Sequence, residues 1–279
     1  MDRRKLLSSN RDKKLKKLHA ILRRMKRLLV AYSGGLDSTF LLANALLVLG
    51  RDNTLAVTAD SETYPKRERR DARKIALKLR APWVSIKTSE LEIPSFKDNP
   101  PDRCYYCKME LFSTLKSVAK RKGIDWVADG TNYDDRKDLR YGTKAAKKLG
   151  VKSPLFEARL TKADLRVLSK DMGLPTWDKP SFACLASRFP YHRPITKKGV
   201  DTVDKAEDFL IGLGFKQVRV RHHGQIARIE VPQKDIKRLN KPDLRDKIRR
   251  KLTRLGFTYV AVDLVGYRTG SMNEALLKR

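Results

Sequence analysis

A glycine-rich run at residues 33–38 constrains the fold of this chain more than any other feature. It follows an apolar, strand-like stretch at residues 28–32 and precedes a helical stretch at residues 39–49. Two consecutive glycines let backbone N–H groups approach an anion closely, and the dipole of a following helix favours negative charge there. The run therefore predicts a phosphate-binding loop, with Ser38 as the N-cap of the helix. Its members are Ser33, Gly34, Gly35, Leu36, Asp37 and Ser38.

The loop differs from the two commonest phosphate-binding motifs. It lacks both the Lys-Ser/Thr ending of the P-loop and the G-x-G-x-x-G spacing of dinucleotide-binding folds. An ordinary glycine-rich turn is the alternative interpretation. The strand before it, the helix after it and the Asp-Ser ending favour the phosphate loop.

Strand and helix patterns alternate through the first two thirds of the chain. The patterns predict strands at residues 28–32, 55–59, 83–86, 125–128 and 154–156, and helices at 39–49, 67–79, 109–121, 143–149 and 162–172. This order predicts an α/β fold, an open parallel sheet with helices on both faces. Ligands of such sheets bind at the carboxyl ends of strands, where the phosphate loop, the turn at Asp60 and the loop at residues 129–135 all lie.

The chain divides into three predicted regions: a basic N-terminal helix at residues 1–27, an α/β domain at 28–189 and a small α+β domain at 190–279. Apolar side chains at helical spacing favour a helix over a transit peptide at the N-terminus. The last region has predicted helices at 201–213 and 243–255 and predicted strands at 217–221, 226–231 and 259–264, with His222, His223 and Gly224 in a turn. No apolar run is long enough to span a membrane, so we expect a cytoplasmic protein.

The chain is strongly basic, with 63 Lys and Arg against 32 Asp and Glu and a formal net charge of +31. Much of the excess lies at residues 3–27, 66–80 and 234–254. Such a balance fits tRNA or another polyanion, a small phosphorylated substrate, or simply a solvated charged surface. These three runs contain no aromatic residue that could stack on single-stranded bases. A tRNA partner therefore stays open.

Three cysteines are the candidates for soft-metal or redox chemistry. Cys104 and Cys107 form a C-x-x-C pair just before a predicted helix, and Cys184 stands alone later in the chain. A zinc site would need a histidine as fourth ligand, and a redox pair would lack thioredoxin-like surroundings. Three thiolates can also hold a 4Fe–4S cluster and leave one iron open. For Cys184 alone, simple burial is a further alternative.

The glycine-rich loop resembles the PP-loop, SGGxDS, of the ATP pyrophosphatases, and a PP-loop with these three cysteines belongs to a narrow set. The chain resembles the LarE family, the ATP-dependent sulfur transferases of nickel-pincer nucleotide synthesis. The resemblance covers nearly the whole length after the basic N-terminus. Its most specific part is the block at residues 174–188, which ends in Ser181-Phe182-Ala183-Cys184-Leu185-Ala186-Ser187-Arg188. Supporting motifs are residues 129–132 with 134–135, residues 153–155 and residues 219–224.

The resemblance implies a PP-loop (HUP-like) fold and a reaction in two steps. ATP adenylates a carboxylate of a pyridinium biscarboxylate mononucleotide, pyrophosphate leaves, and sulfur then displaces AMP to give a thiocarboxylate. The backbone amides of Gly34, Gly35 and Leu36 would hold the pyrophosphate end of ATP, and Asp37 would hold Mg²⁺. The remaining expected ATP-binding residues are Ser33, Ser38, Asp60, Asp129 and Gly130. For Asp129, capping of its own loop is the alternative.

The sulfur carrier separates two branches of the family. In one, a single cysteine matching Cys184 gives up its own sulfur and ends as dehydroalanine. In the other, three cysteines hold a 4Fe–4S cluster whose free iron carries sulfur. Because this chain has Cys104 and Cys107 as well as Cys184, it resembles the cluster branch. The sulfur donor is not readable from the sequence, and the family tends to form homo-oligomers.

The resemblance also assigns the mononucleotide site. Ser187, Arg188, Arg219 and Arg221 match the family's phosphate-binding residues, and Glu207 matches an active-site acid. Arg219 and Arg221 alternate along a predicted strand, so both point to one face, where two guanidiniums suit a phosphate. A solvated strand face is the alternative for this arginine pair, and an exposed helix acid is the alternative for Glu207.

Two other functions compete with the sulfur transferase. A tRNA thiolase also combines a PP-loop, a C-x-x-C pair and a later cysteine, and the positive charge favours it. A basic nucleotide-binding or RNA-binding module without turnover is the non-enzymatic alternative. Asp37, Ser38 and the three thiols argue against that module.

Overall fold

The computed structural model describes residues 3–137 and 141–277. The chain forms two compact units, which we describe separately. The first contains the described residues of 1–61, 67–88 and 102–182, and the second contains 62–66, 89–101 and the described residues of 183–279. The domain bounds 28–189 and 190–279 stay a prediction. Among the described helices, none combines the length and the apolar character that a membrane crossing requires.

The first unit is built on a parallel sheet of four strands. They are β1 (Leu28–Ala31), β2 (Thr54–Asp60), β3 (Trp83–Lys87) and β4 (Trp126–Ala128), in the order β3-β2-β1-β4. The central strand β1 is apolar throughout, as expected for a strand covered on both faces. Because chain connections leave β1 in both directions, towards β2 and towards β4, a crevice is expected at the carboxyl ends of these strands.

The helices follow in chain order. They are α1 (Arg3–Met25), α2 (Leu36–Leu49), α3 (Lys66–Lys78), α4 (Pro94–Lys97), α5 (Arg103–Arg121), α6 (Tyr141–Lys148), α7 (Pro154–Glu157), α8 (Lys162–Asp171), α9 (Lys197–Gly212), α10 (Gln233–Leu239), α11 (Pro242–Arg254) and α12 (Glu274–Leu277). Alternate residues of β1 enter two different cores. Leu28 and Val30 pack with residues of α1, α2 and α8, whereas Leu29 packs with residues of α5 and α6. The predicted α/β fold with helices on both sheet faces is thereby confirmed.

Three local predictions in the first unit are wrong. Helix α2 begins at Leu36 with Gly35 as its N-cap, so Ser38 lies within the first turn and is not the cap. Helix α5 begins at Arg103, six residues before the predicted start at 109, and the C-x-x-C pair lies inside it. Residues 154–156 form the helical turn α7, not a strand, because Pro154 takes the first helical position after Ser153.

The second unit is a small α+β structure, as the sequence predicts. Strand β5 (Arg219–His223) pairs antiparallel with β6 (Ile226–Glu230), and β6 pairs parallel with β7 (Tyr259–Val262). Helices α9 and α11 contribute to a core with these strands. His222 and His223 belong to β5, and the turn between β5 and β6 begins at Gly224, which has a φ of +65°. Their predicted place in the turn is therefore wrong.

Candidate active site

The glycine-rich loop between β1 and α2 lies tightly against helix α3. Gly34 has a φ of +63°, and a Cβ there would lie 2.6 Å from the Cα of Ala72. Ser33 donates its N–H to the hydroxyl of Ser38 at 3.2 Å, so the two serines close the loop. The first amides of a helix have no acceptor within that helix. The start of α2 therefore presents N–H groups to a partner of negative charge.

Asp37, in the first turn of α2, is held by two partners from other loops. Its Oδ1 accepts a hydrogen bond from the Asn132 amide at 3.1 Å, and its Oδ2 pairs with Lys162 Nζ at 3.0 Å. Asn132 follows β4, and Lys162 begins α8 after a Thr161 capping box. The site thus has a positive charge beside the predicted magnesium ligand, and the sequence analysis missed it. The sequence signal that could have identified Lys162 was its position directly after the helix cap Thr161.

Asp129 and Gly130 lie at the carboxyl end of β4, next to the glycine-rich loop. Asp129 accepts hydrogen bonds from the N–H of Thr131 (3.1 Å), the hydroxyl of Thr131 (2.7 Å) and the hydroxyl of Ser153 (2.7 Å). These are loop-capping contacts, which is the alternative weighed for this carboxylate. A Cβ on Gly130 would lie 2.9 Å from the N atom of Ser38, so the two loops touch and only glycine fits.

Two ion pairs brace the same end of the sheet. Asp60, the last residue of β2, pairs with Arg69 of α3. Lys179 donates to the carbonyl of Gly34 at 3.1 Å and pairs with Glu68 at 2.7 Å. The Lys179 and Glu68 side chains are only 16% and 6% exposed, so this pair is largely withdrawn from solvent screening. Lys179 is a second residue beside the loop that the sequence analysis missed.

Cys104 and Cys107 are the second and fifth residues of α5, near its N-terminus. Side chains three residues apart lie on the same side of a helix, so the turn offers two neighbouring thiols. Cys104 is exposed and Cys107 is half-buried. Thiolates of this kind suit iron or zinc.

Cys184 belongs to the second unit, where it immediately precedes the 3-10 turn Leu185–Arg188. It is half-buried, not fully enclosed. Within residues 3–137 and 141–277, no group of three His, Cys, Asp or Glu side chains is arranged to hold a metal ion. The donor types, three thiols, fit an iron–sulfur cluster. The three-cysteine cluster therefore stays a prediction.

A buried network of charges in the second unit contains all five residues predicted for the mononucleotide site. Arg188 is 0% exposed and binds both carboxylate oxygens of Glu207 at 2.8 Å. Glu207 also accepts the N–H of Val220 at 2.9 Å. Burial opposes the charge of Glu207, but Arg188, together with Arg219 and the Val220 N–H, holds the pKa of the carboxyl below its ordinary value. Glu207 is thus a buried, paired carboxylate, which excludes the exposed helix acid.

Arg219 and Arg221 are buried on the same face of β5, which excludes a solvated strand face. Arg221 pairs with Glu230 at 2.7 Å and donates to the hydroxyl of Ser271 at 2.9 Å and to the carbonyl of Ser187 at 3.0 Å. Burial, and then the charge of Arg188, lowers the pKa of Arg219. The charged form of Arg219 is therefore disfavoured in this site, and a bound anion would stabilise it.

Glu230 is the residue of this network that the sequence analysis missed. It is 0% exposed and also pairs with Arg228 at 3.1 Å. The sequence signal that could have identified Glu230 was a single acidic residue at the end of a strand, β6, whose other residues are apolar or basic.

The ring of His222 lies between two aromatic side chains. Its centroid is 5.0 Å from that of Phe189, in a stacked arrangement, and 5.3 Å from that of Phe257. Burial lowers the pKa of His222. The structure thus gives this histidine a packing role.

Searches of known proteins return relatives that match the chain almost end to end. It is 41% identical over 261 residues to the pyridinium-3,5-bisthiocarboxylic acid mononucleotide synthase of Lactiplantibacillus plantarum, which covers 94% of each chain. It is 40% identical to an uncharacterised protein of Synechocystis over 96% of this chain and 99% of that one. A tRNA-specific 2-thiouridylase of Leptospira biflexa is 26% identical over 64% of this chain and 58% of its own length. No family model matches.

Proposed function

Because the chain belongs to the LarE family of pyridinium-3,5-bisthiocarboxylic acid mononucleotide synthases, we propose that it is an ATP-dependent sulfur transferase of nickel-pincer nucleotide synthesis. Its substrate would be pyridinium-3,5-biscarboxylic acid mononucleotide, and its product a thiocarboxylate. The observation that carries this proposal is the near-full-length similarity to the Lactiplantibacillus plantarum synthase. The phosphate loop at the start of α2 supports the use of ATP.

The reaction needs activation of the carboxylate before sulfur can enter. A carboxylate oxygen of the substrate attacks the α-phosphorus of ATP, the bond to the bridging oxygen breaks, and pyrophosphate leaves. A sulfide then attacks the carbonyl carbon of the acyl adenylate, the C–O bond breaks, and AMP leaves. The protein must therefore stabilise pyrophosphate in the first step and keep water from the adenylate before the second.

The first unit carries the groups suited to the adenylation step. The amides at the start of α2 would hold the pyrophosphate, and Asp37 would hold Mg²⁺, a hard cation that prefers carboxylate oxygen. Mg²⁺ supplies charge neutralisation on the departing pyrophosphate. Lys162, 3.0 Å from Asp37, adds a fixed positive charge beside the same group. Gly130 keeps the loop after β4 in contact with the start of α2, and Gly34 keeps the glycine-rich loop against α3.

The cysteines would carry the sulfur. We propose that Cys104, Cys107 and Cys184 hold a 4Fe–4S cluster, which supplies an open iron for an exogenous sulfide at neutral pH. The support is the donor set, because three thiolates are the ligands that such a cluster requires. Cys104 and Cys107 already share one turn of α5.

The buried arginines of the second unit would recognise the mononucleotide. Arg219 and Arg221 face the same way from β5, and paired guanidiniums bind a phosphate in a fixed geometry. Burial and, after it, the charge of Arg188 lower the pKa of Arg219, and a bound anion would offset both effects. We therefore assign the substrate phosphate to this strand.

A tRNA thiolase is the second candidate. The similarity to tRNA-specific 2-thiouridylases favours it, as does the net charge of +31. That similarity covers little more than half of the thiouridylase, whereas the synthase is matched almost end to end.

Pyrophosphate release separates the two candidates. Purified protein with Mg-ATP should release pyrophosphate when pyridinium-3,5-biscarboxylic acid mononucleotide is added and not when unmodified tRNA is added. Release that depends on tRNA alone would overturn the proposal. Asp37→Asn should abolish release, and Lys237→Ala, a change on the separate helix α10, is the matched control.

Iron content tests the sulfur carrier. Protein prepared without oxygen should contain about four irons per chain and absorb broadly in the visible range. Colourless protein with zinc would contradict the cluster. Cys184→Ala should abolish sulfur transfer and leave pyrophosphate release unchanged, and loss of ATP binding in that variant would mean that Cys184 is structural.

A further inference from the structure

All three nitrogens of the Arg188 guanidinium already have acceptors within the second unit. Nε and Nη2 donate to the two oxygens of Glu207, each at 2.8 Å. Nη1 donates to the carbonyls of Ala183 at 2.9 Å and Cys184 at 3.1 Å, and to the hydroxyl of Ser187 at 2.8 Å. Since the side chain is 0% exposed, this guanidinium is enclosed by the protein itself.

The backbone around Cys184 depends on these bonds. The Cys184 carbonyl accepts not only Arg188 but also the N–H of Ser187 at 3.1 Å and its hydroxyl at 2.9 Å. The N–H of the same peptide, that of Leu185, donates to the carbonyl of Thr63 at 2.8 Å. The preceding peptide is held through the Ala183 carbonyl, which accepts a hydrogen bond from Arg188 at 2.9 Å. The peptides on both sides of Cys184 are fixed in this way, while the residue itself stays half-buried.

Glu207 extends the same network to strand β5. Its Oε1 accepts the N–H of Val220 at 2.9 Å, and Val220 lies between Arg219 and Arg221. Arg221 Nη1 donates back to the Ser187 carbonyl at 3.0 Å. One buried ion pair therefore connects the segment that carries Cys184 with the strand that carries the two other arginines.

We infer that Arg188 and Glu207 are positioning residues that hold Cys184 in register with the phosphate-binding strand, and that Arg188 is not itself a ligand of the substrate phosphate. Turning Arg188 towards a phosphate would leave Glu207 buried without its partner, which is strongly unfavourable. Arg221 differs, because its Nε is buried and has no hydrogen-bond partner among the described residues. The role of Cys184 in this inference rests on the proposed function.

Steady-state kinetics distinguish a positioning residue from a phosphate ligand. Two variants are suitable: Glu207→Gln keeps the shape of the side chain, and Arg188→Lys keeps the charge. Both should lower kcat for sulfur transfer about 100-fold with little change in the KM for the mononucleotide. Arg221→Lys should instead raise that KM about ten-fold or more. Arg193→Lys, a change at an exposed arginine nearby, is the control. A large rise in KM for Arg188→Lys, with kcat unchanged, would overturn the inference.

Hydrogen exchange tests the same inference without any substrate. In Glu207→Gln, amides of residues 183–188 and 218–221 should exchange about ten-fold faster, because hydrogen bonds to a charged group are lost there. Helix α11, which makes none of these bonds, should exchange as in the parent protein and so reports on the general folding of the variant. Unchanged exchange at 183–188 would refute the positioning role, whatever reaction the protein catalyses. If the parent protein fails to thiolate the mononucleotide, the proposed function is wrong, and the exchange result still decides the positioning role.

Discussion

Replacement of Gly34 by alanine should destabilise the first unit substantially. The residue has a φ of +63°, a conformation that costs an L-amino acid about 1–2 kcal/mol. The new Cβ would lie 2.6 Å from the Cα and 2.7 Å from the Cβ of Ala72, in the backbone and side chain of a packed helix that cannot simply rotate away. Overpacking of this kind adds about 1–3 kcal/mol. We therefore expect the free energy of unfolding to fall by about 2–5 kcal/mol.

The tryptophans make this loss measurable in one unit of a two-unit protein. Trp83, Trp126 and Trp177 all lie in the first unit, so their fluorescence during urea unfolding reports on that unit. Gly35→Ala is the matched control, because Gly35 has a φ of −81° and its added Cβ would meet nothing nearer than the Ser33 hydroxyl at 3.4 Å. The control should lose less than about 1 kcal/mol. Equal losses in the two variants would refute the argument.

Three further predictions use the same comparison of paired variants. Lys179→Met should cost about 3 kcal/mol by leaving the buried Glu68 without its partner, and adding Glu68→Leu should recover most of the loss in the fluorescence assay. Thr161→Ala should cost about 1 kcal/mol through the lost α8 cap, whereas Thr196→Ala, at the α9 cap in the second unit, should leave the tryptophan transition unchanged. Because burial lowers the pKa of His222 in the folded state, the unfolded chain binds its proton more readily, and stability is lost as the pH falls below about 6.5. His222→Phe should therefore reduce the loss of stability between about pH 7 and pH 5, measured by circular dichroism, and an unchanged loss would assign it to other groups.

The sequence predicts the sheet and helices of the first unit well because the alternation of strand and helix patterns determines all of them. Strand patterns that alternate with helical patterns predict a parallel sheet with helices on its faces, and the structure has a parallel sheet of four strands. The errors arise where two local signals compete. Ser38 is a good N-cap by type, but Gly35 adopts the extended conformation that a cap needs and begins the helix three residues earlier. Likewise, residues 154–156 look apolar enough for a strand, yet Pro154 favours a helical first turn.

The partners of the site residues were much less predictable than the residues themselves. A motif identifies Asp37, but only the fold brings Lys162, which lies 125 residues later, to within 3.0 Å of it. In the same way, no spacing rule connects Arg188 with Glu207. Sequence patterns report on residues that share one helix or one strand, whereas these pairs form between separate elements.

The buried network of the second unit has an uneven charge balance, and this explains why its arginines cannot all have the same role. Three guanidiniums, of Arg188, Arg219 and Arg221, share two buried carboxylates, of Glu207 and Glu230. Arg188 donates to both oxygens of Glu207. Glu230 pairs with Arg221 through one oxygen, and its other oxygen accepts from Arg228 and Ser271. An uncompensated positive charge in a buried site is unfavourable unless an anion arrives. The excess therefore falls on the β5 arginines, and this supports our proposal that a substrate phosphate binds at that strand and not at Arg188.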